Sequence, residues 1–169
     1  MDMRPFCREL SSSLSTGTPG QKIEVLARRL AEFFKVEVHE VGLFQIDSTG
    51  RFLNFVWPQH RLAHDIKIPI KSFYTALVSK TARERTGSID NAFATSRHLK
   101  MFELSLADRE HCIPMQKVMT VPVFDGDKLL WVIQISRKGK ALADAGPDFT
   151  EQQLDALQDV AATLAIITI

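Results

Sequence analysis

The stretch Lys117–Lys138, KVMTVPVFDGDKLLWVIQISRK, constrains the fold more than any other part of the chain. Val118, Met119, Val121, Val123 and Phe124 form one apolar arm, and Leu129, Leu130, Trp131, Val132, Ile133 and Ile135 form the other. Both are rich in β-branched and aromatic residues, which suit a pleated buried surface. Between them, Asp125-Gly126 is a hairpin signal, because glycine accepts the positive φ of a tight turn. The second arm is apolar on both faces for most of its length. It therefore reads as a central strand covered on both sides, and the rest of the chain must supply the covering layers.

At 169 residues, one domain with a full core is expected. The division is a loosely held leader over 1–17 and a single domain over 18–169. A net charge of +1 and the absence of a basic run argue against nucleic acid as a main partner. No apolar run approaches the span of a bilayer, so no membrane partner is expected. The two cysteines, Cys7 and Cys112, fit neither a disulfide framework nor a metal pattern. A reducing cytoplasm is the default compartment.

The leader favours loop through Ser11–Ser13 and Ser15–Gly17, while Phe6, Leu10 and Leu14 at helical spacing allow a short helix. Thr18-Pro19-Gly20-Gln21 is a capping box with proline at the first helical position. It opens a helix to about Phe34, with Ile23, Leu26, Leu30 and Phe33 on one stripe. A strand over Val36–Ile46, a turn at Asp47–Gly50 and a strand over Phe52–Trp57 make a second hairpin. Ile66, Ile68 and Ile70 alternate as a short strand, and Pro69 confines it to an edge. Ser72 caps a helix to about Arg83 with Phe73, Ala76 and Leu77 inward. Ser88–Asp90 reads as a brief strand and Arg97–Leu106 as a short helix. Thr150 and Gln153 cap the last helix, whose Leu154, Leu157, Ala161 and Leu164 form a seam for its own sheet or for a partner subunit.

The order helix, hairpin, strand, helix, irregular segment, hairpin, helix gives an α+β fold with helices on the faces of an antiparallel sheet. From about Gln21 to Leu164 the chain resembles the GAF domain family. The resemblance is carried by Ile68-Pro69 with Ser72, Val121-Pro122-Val123, Trp131 through Gly139, and Asp148-Phe149-Thr150-Glu151. It implies a central antiparallel sheet of about six strands. It also implies terminal helices on one face, often pairing in a homodimer, and middle helices and loops over a small-molecule pocket on the other. Family ligands include cyclic nucleotides, bilins, haem and small metabolites. The family's usual role is to sense a ligand and inform an output protein; function must come from the site.

Placed on that frame, the pocket is walled by Phe73, Ser88, Asn91, Phe93, Arg97, His98 and Phe102, with Trp131 from the central strand. Asn91, Arg97 and His98 offer polar contacts, and the aromatics enclose an apolar part. Asn91 is followed by Ala92, which breaks the Asn-Lys pattern of cyclic-nucleotide members. His111-Cys112 reverses the Cys-His order of bilin attachment. The cofactor stays unknown. A redox enzyme of the free-methionine sulfoxide reductase type, built on Cys112 with Arg109 and His111 beside it, is the enzymatic alternative. A dimerisation module with a filled core is the structural one. His60 and His64 are four apart but lack the glutamate and third ligand of a zinc site. The expectation is a non-catalytic, ligand-sensing module in intracellular signal transduction.

Overall fold

A computed structural model describes residues 2–58, 67–71, 76–95 and 113–167. Among these, six strands form one antiparallel sheet, ordered β3-β2-β1-β6-β5-β4. They are β1 (Val41–Ile46), β2 (Phe52–Trp57), β3 (Lys67–Pro69), β4 (Ser88–Asp90), β5 (Met115–Asp125) and β6 (Lys128–Lys138). The β5–β6 hairpin is the spine, and β6 lies inside the sheet between β1 and β5, as its two-sided hydrophobicity requires. Gly126 turns the hairpin at a φ of +55°, closing Asp125 onto Lys128. β3 is an edge strand, so Pro69 costs the sheet no ladder bond.

Four helices are described: α1 (Arg4–Ser13), α2 (Pro19–Phe34), α3 (Leu77–Glu84) and α4 (Glu151–Leu164). α1, α2 and α4 cover one face, where Leu10, Leu26, Leu30, Leu157 and Val160 meet Val41, Leu43, Met119, Val121, Ile133 and Ile135. α3 covers part of the other face, setting Val78 and Ala82 on Phe44, Leu53, Phe55 and Val132. The α+β architecture is thus the expected one. Both capping boxes form as read, Thr18 with Gln21 and Thr150 with Gln153. Leu154, Leu157, Ala161 and Leu164 are all buried within the chain's own core.

Three local readings change. The leader's residues 4–13 are helical and packed, with Leu10 and Leu14 fully buried. The serine run is compatible with helix because Ser11 and Ser13 donate back to the carbonyls of Cys7 and Glu9 at 2.9 Å each. The apolar spacing of Phe6, Leu10 and Leu14 then decides the outcome. The strand expected from Val36 begins only at Val41. Lys35 ends α2 in the left-handed region at a φ of +53°, and the Val36 N–H closes back on the Ala31 carbonyl at 3.0 Å. A 3₁₀ turn over Val38–Glu40 then takes up the next residues. The expected middle helix also starts later than its Ser72 cap: Ala76 is extended at a ψ of 144° and α3 begins at Leu77, while Ser72, Phe73 and the helix expected over Arg97–Leu106 lie outside the described residues.

Candidate functional site

The sheet register sets four small or polar residues in a row on the α3 face. Ser88 of β4 stands opposite Thr120 of β5, Thr120 opposite Gln134 of β6, and Gln134 opposite Gly42 of β1. Side-chain parity fixes the face, because the neighbours Met119, Val121, Ile133, Ile135, Val41 and Leu43 point to the terminal helices. On one side the row borders the apolar Phe44 and Val132; on the other the next row sets Val118, packed with Met115 and Phe93, between Asp90 and Ser136.

α3 contributes Thr81, and the hydroxyls form a directed chain. Thr81 Oγ1 donates to the Leu77 carbonyl at 3.1 Å and lies 2.7 Å from Thr120 Oγ1. A hydroxyl has one proton, so Thr120 must donate to Thr81. Ser88 Oγ, 3.3 Å from Thr120, then donates to Thr120. The protons run from Ser88 toward the backbone of α3, and the Ser88 oxygen keeps its acceptor capacity.

Gln134 is different. It is only 5% exposed. Among the described residues its amide makes one hydrogen bond, Nε2 to Met115 Sδ at 3.5 Å, and its Oε1 makes none. Thioether sulfur is a weak acceptor, and Oε1 is not among the described atoms that are both fully buried and without a partner, so the amide keeps hydrogen-bonding capacity at a point that is not sealed off. A Cβ on Gly42 would lie 3.5 Å from Gln134 Cβ and 3.0 Å from the Phe44 ring, so glycine leaves the flank of Gln134 free of a side chain. The row itself carries no ionisable group. Asp90, opposite Val118, accepts from the Ala92 N–H at 2.9 Å.

The residues expected to wall a pocket separate into groups. Ser88 and Phe93 lie on this face, Ser88 in the row and Phe93 against Met115, Val118 and Leu77. Asn91 turns away to grip the entry of α4: its Nδ2 donates to the Phe149 carbonyl at 3.0 Å and its Oδ1 accepts the Phe149 N–H at 2.8 Å. Trp131, in register with Val123 and Gln45, packs against the cluster under the terminal helices. It is on the opposite face from Phe93. Phe73, Arg97, His98 and Phe102 lie outside the described residues, as do His60, His64, Arg109, His111 and Cys112.

Several basic side chains are engaged within the chain. Arg83 donates to the Ile70 carbonyl at 2.9 Å, and Arg85 to the Asp127 carbonyl at 3.0 Å while stacking over the Phe124 ring. Buried Arg137 reaches the Phe34 and Lys35 carbonyls at the end of α2, at 3.3 and 3.4 Å, and lies over the Phe149 ring. Burial pulls its pKa down, and the Glu40 carboxylate opposes that shift. Lys117 donates to the Gly146 carbonyl at 2.6 Å and pairs with Asp148 at 2.8 Å. Asn91, Lys117 and Arg137 thus pin the segment that leads into α4 to the sheet and to α2.

A separate cleft of about 600 Å³ lies between the tips of the β1–β2 and β5–β6 hairpins. Ile46, Ile70, Ala82 and Leu129 line it, with Asp47, Arg85 and Asp127 at the rim. Those three charges already have partners: Arg85 pairs with Asp127, and Asp47 accepts from Thr49 and from the Arg51 and Phe52 N–H groups. Among the described residues no three His, Cys, Asp or Glu side chains gather as a metal site. No described helix is long and apolar enough to cross a membrane.

Sequence reasoning missed Thr81, Thr120, Gln134 and Gly42. The available signal was parity: Thr120 and Gln134 are each single polar residues within apolar runs. Only the pairing of β4, β5, β6 and β1 shows that they share a row.

An antiparallel sheet with terminal helices on one face, and a short helix beside a polar row on the other, defines an α+β domain of a single six-stranded sheet. The GAF domain family model matches residues 19–167, and the chain belongs to that family. In fold it is similar to the GAF domain of an Acinetobacter phosphoenolpyruvate-protein phosphotransferase, at 13% identity and a TM-score of 0.72, covering 99% of this chain and 94% of that one. The corresponding domain from Coxiella burnetii gives 13% identity and a TM-score of 0.71, with 99% and 92% covered. Free methionine-R-sulfoxide reductase from Neisseria meningitidis, in complex with its substrate, gives 18% identity and a TM-score of 0.66, with 96% and 86% covered. At these identities the likeness is one of fold. No curated protein matches the chain in sequence.

Proposed function

We propose that this chain is a cytoplasmic, non-catalytic sensor that binds a small molecule over the α3 face of its sheet and reports through α4. The observation that carries the reading is the uncharged polar row Ser88–Thr120–Gln134–Gly42, which crosses four strands between the apolar Phe44 and Val132 and the Asp90–Val118–Ser136 row. A sheet centre that served only as core would gain more from apolar side chains, since placing polar groups there costs desolvation. The output route is local. Asn91 follows β4, one end of which carries Ser88, and holds Phe149 at the entry of α4. A ligand that favours one arrangement of the β4 end therefore biases α4 by its differential affinity.

The receiving partner is a signalling output protein or a second copy of the chain. A homodimer through the terminal helices uses surfaces other than the Leu154–Leu164 stripe, which is buried in the chain's own core. The fold likeness to free methionine-R-sulfoxide reductase supports a second reading, a thiol-dependent reductase acting through Cys112. Cys7 sits in α1 against the terminal-helix cluster, away from the α3 face, which counts against a two-cysteine cycle there. A thermal-shift screen with nucleobases, amides, amino acids, oxoacids and haem tests the sensor reading. A concentration-dependent rise in melting temperature with one class supports it, and no rise with any class opposes it. Methionine sulfoxide reduction that disappears in Cys112→Ser would replace it with the reductase.

A further inference from the structure

The amide of Gln134 narrows the kind of molecule the α3 face takes. The neighbouring hydroxyls do not satisfy it, since Thr120 directs its proton to Thr81 and Gly42 has no side chain to offer. Its one hydrogen bond among the described residues is the 3.5 Å approach to Met115 Sδ. We infer that Gln134 reads the ligand, and that the ligand presents a neutral donor–acceptor edge of the lactam or carboxamide type. The inference rests on the reading of the α3 face as a ligand site.

The chemistry follows from what a primary amide can do. Its N–H group donates and its carbonyl accepts, so a lactam or carboxamide edge closes two hydrogen bonds with it at once. A carboxylate or phosphate can only accept, which leaves Oε1 unpaired. Among the described residues the row offers such an anion no cation, and Asp90 stands in the next row, so its desolvation there is costly. The acceptor lone pairs of Ser88 give a second, weaker contact for a ligand N–H at the far end of the row. Val132, Val118 and Phe93 supply apolar walls on either side for a flat ring.

The test uses the whole chain with uracil, hypoxanthine and nicotinamide as neutral probes, and pyruvate and inorganic phosphate as anionic ones. Melting temperatures and the Gln134 side-chain amide resonances are followed in the wild-type protein and in Gln134→Met, a volume-conserving change. The expected result is a concentration-dependent melting shift with at least one neutral probe, together with movement of the Gln134 resonances. Gln134→Met then binds that probe at least about ten-fold more weakly while melting no lower than wild type without it. The resonance readout stands even where the variant does not fold. A shift with pyruvate or phosphate alone, with the Gln134 resonances unmoved, overturns the ligand class and leaves the α3-face reading standing. No response to any of the five probes overturns both.

Discussion

Asn91 holds Phe149 by both ends of one amide, giving a hydrogen bond to its carbonyl at 3.0 Å and taking one from its N–H at 2.8 Å. The two residues are 58 positions apart in the chain. One follows the strand that carries Ser88; the other sits just before the Thr150 cap of α4. This contact ties the end of β4 to the entry of α4.

Asn91→Ala removes both bonds and leaves the Phe149 backbone groups in a half-buried site without partners. The expected loss is about 1–3 kcal/mol. Faster amide exchange in the first turn of α4, with exchange in α2 unchanged, is the local signature. Uniform loosening of all helices would place the role of Asn91 elsewhere.

Arg137 braces the same junction from the sheet, over the Phe149 ring and against the last carbonyls of α2. Arg137→Lys keeps a charge but lacks the planar fork that reaches two carbonyls and the ring together. It should lose most of what Arg137→Met loses, about 1–3 kcal/mol by denaturant unfolding. A lysine variant as stable as wild type contradicts this account of the side chain.

The β1–β2 turn carries a pH signature. The Thr49 hydroxyl, with the Phe52, Arg51 and Thr49 N–H groups, holds the Asp47 pKa at about 2 against an ordinary 3.8, with a smaller opposing effect of desolvation. A depressed folded-state pKa means the contribution is fully present above 3.8 and is lost as pH falls through about 2. The difference in stability between wild type and Asp47→Asn should therefore be flat above pH 4 and shrink below it. A difference that grows on acidification contradicts the assignment.

Leu10 makes α1 part of the core, fully buried with α2 and α4 around it. Leu10→Ala should cost about 2–5 kcal/mol, the range for truncating a buried leucine. A loss below a few tenths would return residues 1–17 to the status of a loose leader.

How much of this was legible in the sequence depends on how local each signal is. Thr18 with Gln21 and Thr150 with Gln153 mark helix starts by contacts within one turn, and both form as read. Asp125-Gly126 and Pro69 act through backbone dihedrals and a missing N–H, so the central hairpin and the edge strand also stand. The strand start at Val36 was misjudged because the left-handed cap at Lys35 competes with β propensity. Gln134 was hidden for another reason. A lone glutamine among valine and isoleucine carries no local pattern, and its significance lies in Thr120 and Gly42 across two strand pairs. Trp131 shares its parity with Ile133 and Ile135, so its place under the terminal helices followed once those two were assigned to that core.

The most direct measurement is amide hydrogen exchange of the wild-type chain with and without whichever probe gives the largest melting shift. The account predicts slower exchange in β5 and β6 around Thr120 and Gln134, and, in the same experiment, a change across Phe149–Gln153 that Asn91→Ala abolishes. Protection confined to α1, α2 and the body of α4, or none with any probe, would contradict a sensor that binds on the α3 face and reports through α4.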